Sequence, residues 1–186
     1  MTTIILAAGL SSRMGVNKLL LEFDGCRIIE HVLKNAIQSS DKTIVVLGHD
    51  KESLMPIVSS YDVDIAINED YMKGQLSSIK CGLEKAEDDD FAFITGDLPL
   101  LRRSDIEAVY RALKESNAAR AQYIETPGHP IAYRKEYREK LIAFPGTMKE
   151  FNKMVLPTLI QCSIGTVFDI DTKERYSALL RGNYDL

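Results

Sequence analysis

The three cysteines of this 186-residue chain, Cys26, Cys81 and Cys162, stand far apart, and no C-x-x-C spacing occurs. That pattern gives no zinc site and no disulfide framework. Free, buried or half-buried thiols in a reducing cytoplasm are expected. No apolar run approaches the ~20 residues needed to cross a bilayer, so no membrane association is expected. The N-terminus runs straight into a strand-like segment, with no basic stretch ahead of an apolar one, so no signal peptide is expected and the chain reads as cytoplasmic. Basic residues are not in excess: 23 Lys and Arg against 27 Asp and Glu leave a net charge of −4. No overall positive field draws nucleic acid or an anionic membrane, so any phosphate must be held by a local site. Internal repeats, linkers and low-complexity segments are absent. So is the dinucleotide fingerprint G-x-G-x-x-G. The Walker A ending is missing too, because Gly15 is followed by Val16 and Lys18 by Leu19.

What is present is one soluble globular domain by length and composition, with 45% hydrophobic and 27% charged residues. Its most informative stretch is the opening. Residues 3–7 are a nearly all-apolar strand, broken at Gly9 into a loop of small and polar residues that carries Arg13, Gly15 and Lys18. Glycine lets a ligand approach the backbone, and successive N–H groups in such a turn make a concave anion site. An arginine fork and a mobile lysine are the usual side-chain partners of phosphate. The loop therefore reads as a polyphosphate grip.

Residues 19–23 form a short extended piece closed by Asp24-Gly25, and an apolar stripe predicts a helix over 27–39. His31 on that helix is read as structural or solvent-facing. Strands are expected at 43–47, 63–67 and 91–95. A short helix interrupted by Pro56, a helix capped by Ser77 and running to 86, and one through 106–113 separate or follow them. Strand and helix alternate four times, which predicts a parallel, doubly wound α/β sheet. Ligands sit beyond the carboxyl ends of such strands, where Gly9, Gly48, Asn68 and Gly96-Asp97 gather. The last third is less regular. It holds a strand at 121–124, a loop at 126–130, a short run at 131–133, helices at 135–143 and 148–154, strands at 159–161 and 167–169, and a final helix from Asp171-Thr172.

Asp97, directly after a buried strand, is a candidate Mg²⁺ ligand, since Mg²⁺ favours one or two carboxylates with waters and substrate phosphates. Asp169 and Asp171 form a second acidic pair on one side of an extended segment. A second metal ligand drawn from them requires that segment to return beside Asp97.

The opening Leu6-Ala7-Ala8-Gly9, then Ser12-Arg13-Met14-Gly15 and Lys18, closely resembles the MobA-like nucleotidyltransferases. The Ala7-Ala8-Gly9 form is similar to members that use CTP. The resemblance implies a single Rossmann-like domain, with a nucleotide half over about residues 1–105 and an acceptor half over about 106–186. It implies nucleotide contacts at Leu6, Ala7, Ala8, Gly9, Gly15, Gly74 and Ser78, and catalytic roles for Arg13, Lys18 and Asp97. Mg²⁺ would be held by Asp97 and Asp171, the latter by its place in a terminal Asn/Asp-x-Asn/Asp-Thr motif. Gly128-His129-Pro130 resembles a segment of the molybdopterin cytidylyltransferase branch and implies acceptor binding at His129. The branch's Gly-Asp-x-Gly is replaced here by Pro145-Gly146-Thr147-Met148. The implied reaction moves CMP from CTP to a phosphorylated acceptor such as molybdopterin, with a molybdoenzyme as possible partner. A sugar- or polyol-phosphate acceptor, or a non-catalytic molybdenum cofactor carrier, are the rival readings.

Overall fold

The computed structural model describes residues 1–184; the last two positions of the expected acceptor half lie outside the described residues. Strand β1 (Thr2–Ala7) leads through the glycine loop to a 3-10 turn at Lys18–Leu20. Leu19 and Leu20 are therefore not extended as expected, whereas Leu21 is (φ −65°, ψ 146°). Asn17 Oδ1 accepts from the Leu19 N–H at 3.1 Å and winds the chain there. Within the expected piece, only β2 (Glu22–Phe23) is paired as a strand, with β3 (Cys26–Arg27). Asp24 (φ 45°) and Gly25 (φ 79°) make the two-residue turn that matches strand twist.

Helix α1 (Ile28–Ile37) is followed by β4 (Lys42–Leu47), α2 (Lys51–Val58), β5 (Asp64–Ile67), α3 (Gln75–Lys85), β6 (Phe91–Thr95) and α4 (Arg103–Ala112). Pro56 lies inside α2 and does not end it. Helix α3 starts two residues before Ser77, capped by Gly74, so Ser77 is not its cap. The Ser77 hydroxyl instead bonds back to the Gly74 and Asp70 carbonyls at 2.8 and 3.0 Å.

Strands β7 (Ala118–Tyr123) and β8 (Thr126–Tyr133) form a hairpin. The expected loop at 126–130 is thus part of β8, with a cis His129–Pro130 bond. Helices α5 (Arg138–Ala143) and α6 (Met148–Val155), edge strand β9 (Thr158–Gln161) and α7 (Lys173–Leu180) complete the chain. Thr172, not Asp171, caps α7 by accepting from the Arg175 N–H.

The seven strands order as β5-β4-β1-β6-β8-β7-β9. Four of the six pairings are parallel; β8 alone runs antiparallel to both its neighbours. Helices cover both faces, and alternation along β1 and β4 separates two cores. Ile5, Val45 and Ile94 pack with α1 and α4 residues such as Val32 and Ile106. Ile4, Val46 and Phe93 pack with Ile79, Leu83 and Phe151 from α3 and α6. Burial on both faces explains why the early strands read as unbroken apolar runs. All three thiols are free and half-buried, and burial pushes Cys162 up to about 11. Among the described residues, no helix is long and apolar enough to cross a membrane.

The expected strand at 167–169 is not paired to the sheet. After a 3-10 turn at Ile164–Thr166, Phe168 and Ile170 are fully buried, and the Ile170 N–H donates to the Asp97 carbonyl at 3.1 Å. Close backbone packing holds this segment. A Cβ on Gly165 would lie 2.0 Å from the Leu100 carbonyl oxygen. Backbone cannot swing aside, so Gly165→Ala is expected to cost roughly 1–3 kcal/mol as overpacking does elsewhere. Thermal unfolding would read this as a lower Tm, by roughly 2–4 °C per kcal/mol for a chain of this size. An unchanged Tm would show that the turn does not pack this way.

Candidate active site

The chain leaves β1 towards β4 on one side and returns as β6 on the other, so the carboxyl ends of β1 and β6 flank the point where strand order reverses. A crevice forms at such a point in open α/β sheets. The glycine loop hangs over it, pinned by Met14, which is 3% exposed within the core. Ser11 and Gly15 take left-handed conformations (φ 50° and 70°). The Met14 N–H reaches the Ser11 carbonyl at 3.0 Å.

Burying Met14 turns Arg13 outward and Lys18 inward. Lys18 Nζ donates to Asp97 Oδ2 and, at 2.5 Å, to Asp171 Oδ1. Arg13, 72% exposed, donates from Nη1 to Asp171 Oδ2 at 2.9 Å. Asp97 is 9% exposed, and its Oδ1 is buried without a hydrogen-bond partner. Burial pushes the Lys18 ammonium down, but the Asp97 and Asp171 carboxylates outweigh it and raise the net pKa. For Asp171, burial pushes upward and is outweighed by the Lys18 hydrogen bond and the Lys18, Arg13 and Arg175 charges, so its pKa falls. Asp169 moves the other way. Burial comes first, then the Asp97 and Asp171 charges, and together they raise its pKa. Asp97 and Asp171 thus share the Lys18 ammonium, and Asp169 is near enough to feel all three charges.

A cavity of about 330 Å³ opens beside this cluster. Leu6, Ala7, Ala8, Gly9, Gly74 and Ser78 line it together with Lys18 and Asp97. Gly15 does not line it; its positive φ serves the turn below. A smaller cavity of about 240 Å³ runs from Gly9 past Arg13 to Asp171. Ser78 is held by buried Asn68, whose Nδ2 donates to Ser78 Oγ and Ser77 Oγ, both at 2.9 Å.

His129 lines a separate cavity of about 590 Å³, which meets the first at Gln75. Its Nδ1 lies 3.2 Å from the Phe93 carbonyl, an acceptor, so Nδ1 carries the proton. Burial lowers the His129 pKa, with the Arg120 charge adding to it and the Phe93 carbonyl opposing it. The folded ring stays neutral where an unfolded histidine, with a pKa of about 6.5, takes a proton. Its contribution to stability is therefore present above that pH and lost as pH falls through it. His129→Gln is expected to reduce the drop in Tm between about pH 7 and pH 5. An unaltered Tm–pH slope would refute the buried neutral assignment.

The structure brings Arg13, Lys18, Asp97 and Asp171 into contact and sets Leu6 to Gly9, Gly74 and Ser78 around the adjoining cavity. It places His129 in the next cavity and leaves Gly15 outside both. Tyr71, Thr95 and Gln75 also line the first cavity, and residue type alone carried no signal for them. Gly48 carried a signal that only packing explains. A Cβ there would lie 2.8 Å from the Ala8 Cβ and 2.9 Å from the Tyr71 Cβ.

A switch-point crevice, a glycine loop with two cations and an acidic strand end suit a nucleoside triphosphate, and the family match gives the class, a nucleotidyltransferase. The model of the MobA-like NTP transferase domain matches residues 3–159, and the chain belongs to that family. It is 28% identical over 187 residues to the molybdenum cofactor cytidylyltransferase of Escherichia coli K12, covering 95% of this chain and 97% of that one. It is 27% identical to a probable molybdenum cofactor guanylyltransferase of Methanosarcina acetivorans, covering 84% and 72%. The fold matches that of Rv0371c from Mycobacterium tuberculosis H37Rv with a TM-score of 0.83, 22% identity and coverage of 97% and 96%. That protein has also been solved in complex with manganese.

Proposed function

We propose that the protein transfers CMP from CTP to the phosphate of an acceptor, a molybdopterin-type cofactor. The observation that carries this reading is the contact of Lys18 with both Asp97 and Asp171 at the mouth of the cavity lined by the glycine loop. CTP is favoured by the Ala7-Ala8-Gly9 opening and by the name of the Escherichia coli relative. GTP is the second reading, favoured by the relatives named guanylyltransferases.

Asp97 and Asp171 suit a divalent cation such as Mg²⁺. The buried, unpartnered Asp97 Oδ1 is a free ligand position. Among the described residues, no group of three or more His, Cys, Asp or Glu side chains could hold a metal. Two carboxylates match the preference of Mg²⁺ for few protein ligands completed by phosphates and water. When bound there, the ion would neutralise charge on the triphosphate.

Arg13 and Lys18 receive the triphosphate. Lys18 is already a desolvated cation, so it turns from carboxylate to phosphate with little reorganisation. The Ser78 oxygen accepts from Asn68, which leaves its hydroxyl hydrogen to donate to a base acceptor, and cytosine offers O2 and N3. An acceptor phosphate oxygen attacks the α-phosphorus, a new P–O bond forms, and the bond to the β-phosphate bridge breaks. The departing charge leaves on pyrophosphate beside Arg13 and Lys18. The acceptor phosphate is ionised near neutral pH, so no side chain needs to take a proton. A molybdoenzyme is the partner that would receive the product.

Thermal shift against CTP, GTP, ATP and UTP, with and without Mg²⁺, tests the nucleotide half. A ligand at about 100 times its Kd adds about 2.7 kcal/mol by mass action. CTP-selective, Mg²⁺-dependent stabilisation is expected. A GTP preference would replace the nucleotide, and no response to any nucleotide would remove the reading. Pyrophosphate release with molybdopterin against polyol phosphates then tests the acceptor.

A further inference from the structure

The cavity of about 590 Å³ has a one-sided charge. Arg120, Lys149 and Lys153 line it, and no Asp or Glu does, although acidic residues outnumber basic ones in the chain. None of the three cations has an ion-pair partner among the described residues. Arg120 is held from behind. Its Nε donates to the Gly128 carbonyl at 3.0 Å and its Nη2 to the Pro127 carbonyl at 3.3 Å. That leaves Nη1 without a protein partner among the described residues, on a side chain already taken from water by β7 and β8.

Lys149 and Lys153 stand four residues apart on one face of α6. Like charges at that spacing cost a helix roughly 0.2–0.5 kcal/mol. Glu150 feels the Lys153 charge and offsets part of that cost, but it does not line the cavity. Asn152 lies between them, its Oδ1 taken by the buried Tyr133 hydroxyl, so its amide hydrogens remain to be donated. The Arg120, Lys149, Lys153 and Asn152 side chains can therefore each donate, and three of the four are charged. Much of the remaining lining is apolar: Phe93, Ile131, Met148, Leu156 and Leu159. The volume falls in the range of small-molecule sites, roughly 300–1,000 Å³.

We propose that Arg120, Lys149 and Lys153, with the Asn152 amide, form an anion-recognition site for a phosphate monoester carried on a flat, apolar body. Calling that ligand the acceptor rests on the nucleotidyl-transfer reading above; the site itself does not. The arrangement selects by two criteria at once. The cations take the phosphate, and the apolar share of the lining disfavours a polyol, whose hydroxyls would lose water there without gaining partners. His129 adds no positive charge here, because it is neutral, and its unprotonated Nε2 can only accept a hydrogen bond.

Fluorescence titration of the full chain with naphthyl phosphate, naphthol and glycerol phosphate tests this. Naphthyl phosphate is expected to bind better than either of the others. Lys149→Gln/Lys153→Gln should weaken it about tenfold or more, the loss expected for charged hydrogen bonds. Arg120→Met should do the same. Because Arg120 also holds β8, the exposed lysine pair decides the case should that variant lose its fold. Lys18→Met should leave naphthyl phosphate affinity within about twofold, since Lys18 lies outside this cavity. No binding by wild type, unchanged affinity in the lysine variant, or a loss confined to Lys18→Met would each overturn the proposal. Thermal shift of the same variants with CTP and Mg²⁺ separates the two readings. Loss of naphthyl phosphate binding in a protein that binds no nucleotide would uphold this site and remove the cytidylyl-transfer reading.

Discussion

Asp97→Asn should abolish turnover, lowering kcat by at least about 10³-fold, while the chain stays folded. A single preorganised charge-stabilising group is worth about 10²–10³ in rate, and Asp97 serves two purposes. It orients Lys18 and, in the proposed reaction, would offer the buried Oδ1 to a cation. Asparagine keeps the shape and one oxygen but loses the charge that both purposes need. The fold should survive because the side chain stands at the end of β6, outside the apolar core, while its backbone carbonyl still accepts from Ile170. Steady-state kinetics of nucleotide and acceptor, beside circular dichroism, would check this. Turnover within tenfold of wild type would remove Asp97 from the reaction.

Lys18→Met should make the stability of the free protein depend on Mg²⁺. In the wild type, Lys18 is the counter-charge for Asp97, and the two side chains are only 14% and 12% exposed. Removing one partner of a buried pair costs about 3–5 kcal/mol; Asp171 is 39% exposed and contributes less. A loss of about 3 kcal/mol corresponds to a Tm lower by roughly 6–12 °C. Millimolar Mg²⁺ should recover much of that loss in the variant and change the wild type little, because Lys18 already occupies the space between the carboxylates. Nucleotide-dependent stabilisation should fall as well, since a phosphate contact is gone. A variant as stable as wild type, or one indifferent to Mg²⁺, would show that the ammonium does not hold the two carboxylates together.

The two halves of the site were unequally legible, and the reason is physical. Arg13, Lys18 and the glycines lie within ten residues of one another, so local chemistry reveals them. Asp97 stands out because an apolar strand ends there. Asp171 came from a motif, since nothing local shows that a segment 74 residues further on returns to the same rim. Its return depends on Gly165 seating against Leu100 and on Ile170 reaching the Asp97 carbonyl. The His129 segment was misread as a loop because glycine and proline are turn formers. The hairpin with β7 and the pairing with β6 overrode that preference. Ser77 was misread as a cap because a serine before a helical run is a common start, yet Gly74 begins α3 earlier.

From sequence alone came the alternation that builds a parallel sheet, the opening glycine loop with its two cations and the absence of any broad basic field. These are properties of short stretches or of total charge, and no distant contact is needed to see them. Tertiary structure alone decided which carboxylates share Lys18, which residues wall each cavity, and that the cations Arg120, Lys149 and Lys153 line one space. Those facts join residues tens of positions apart, and only packing of the sheet, its hairpin and α6 brings them within reach of one ligand.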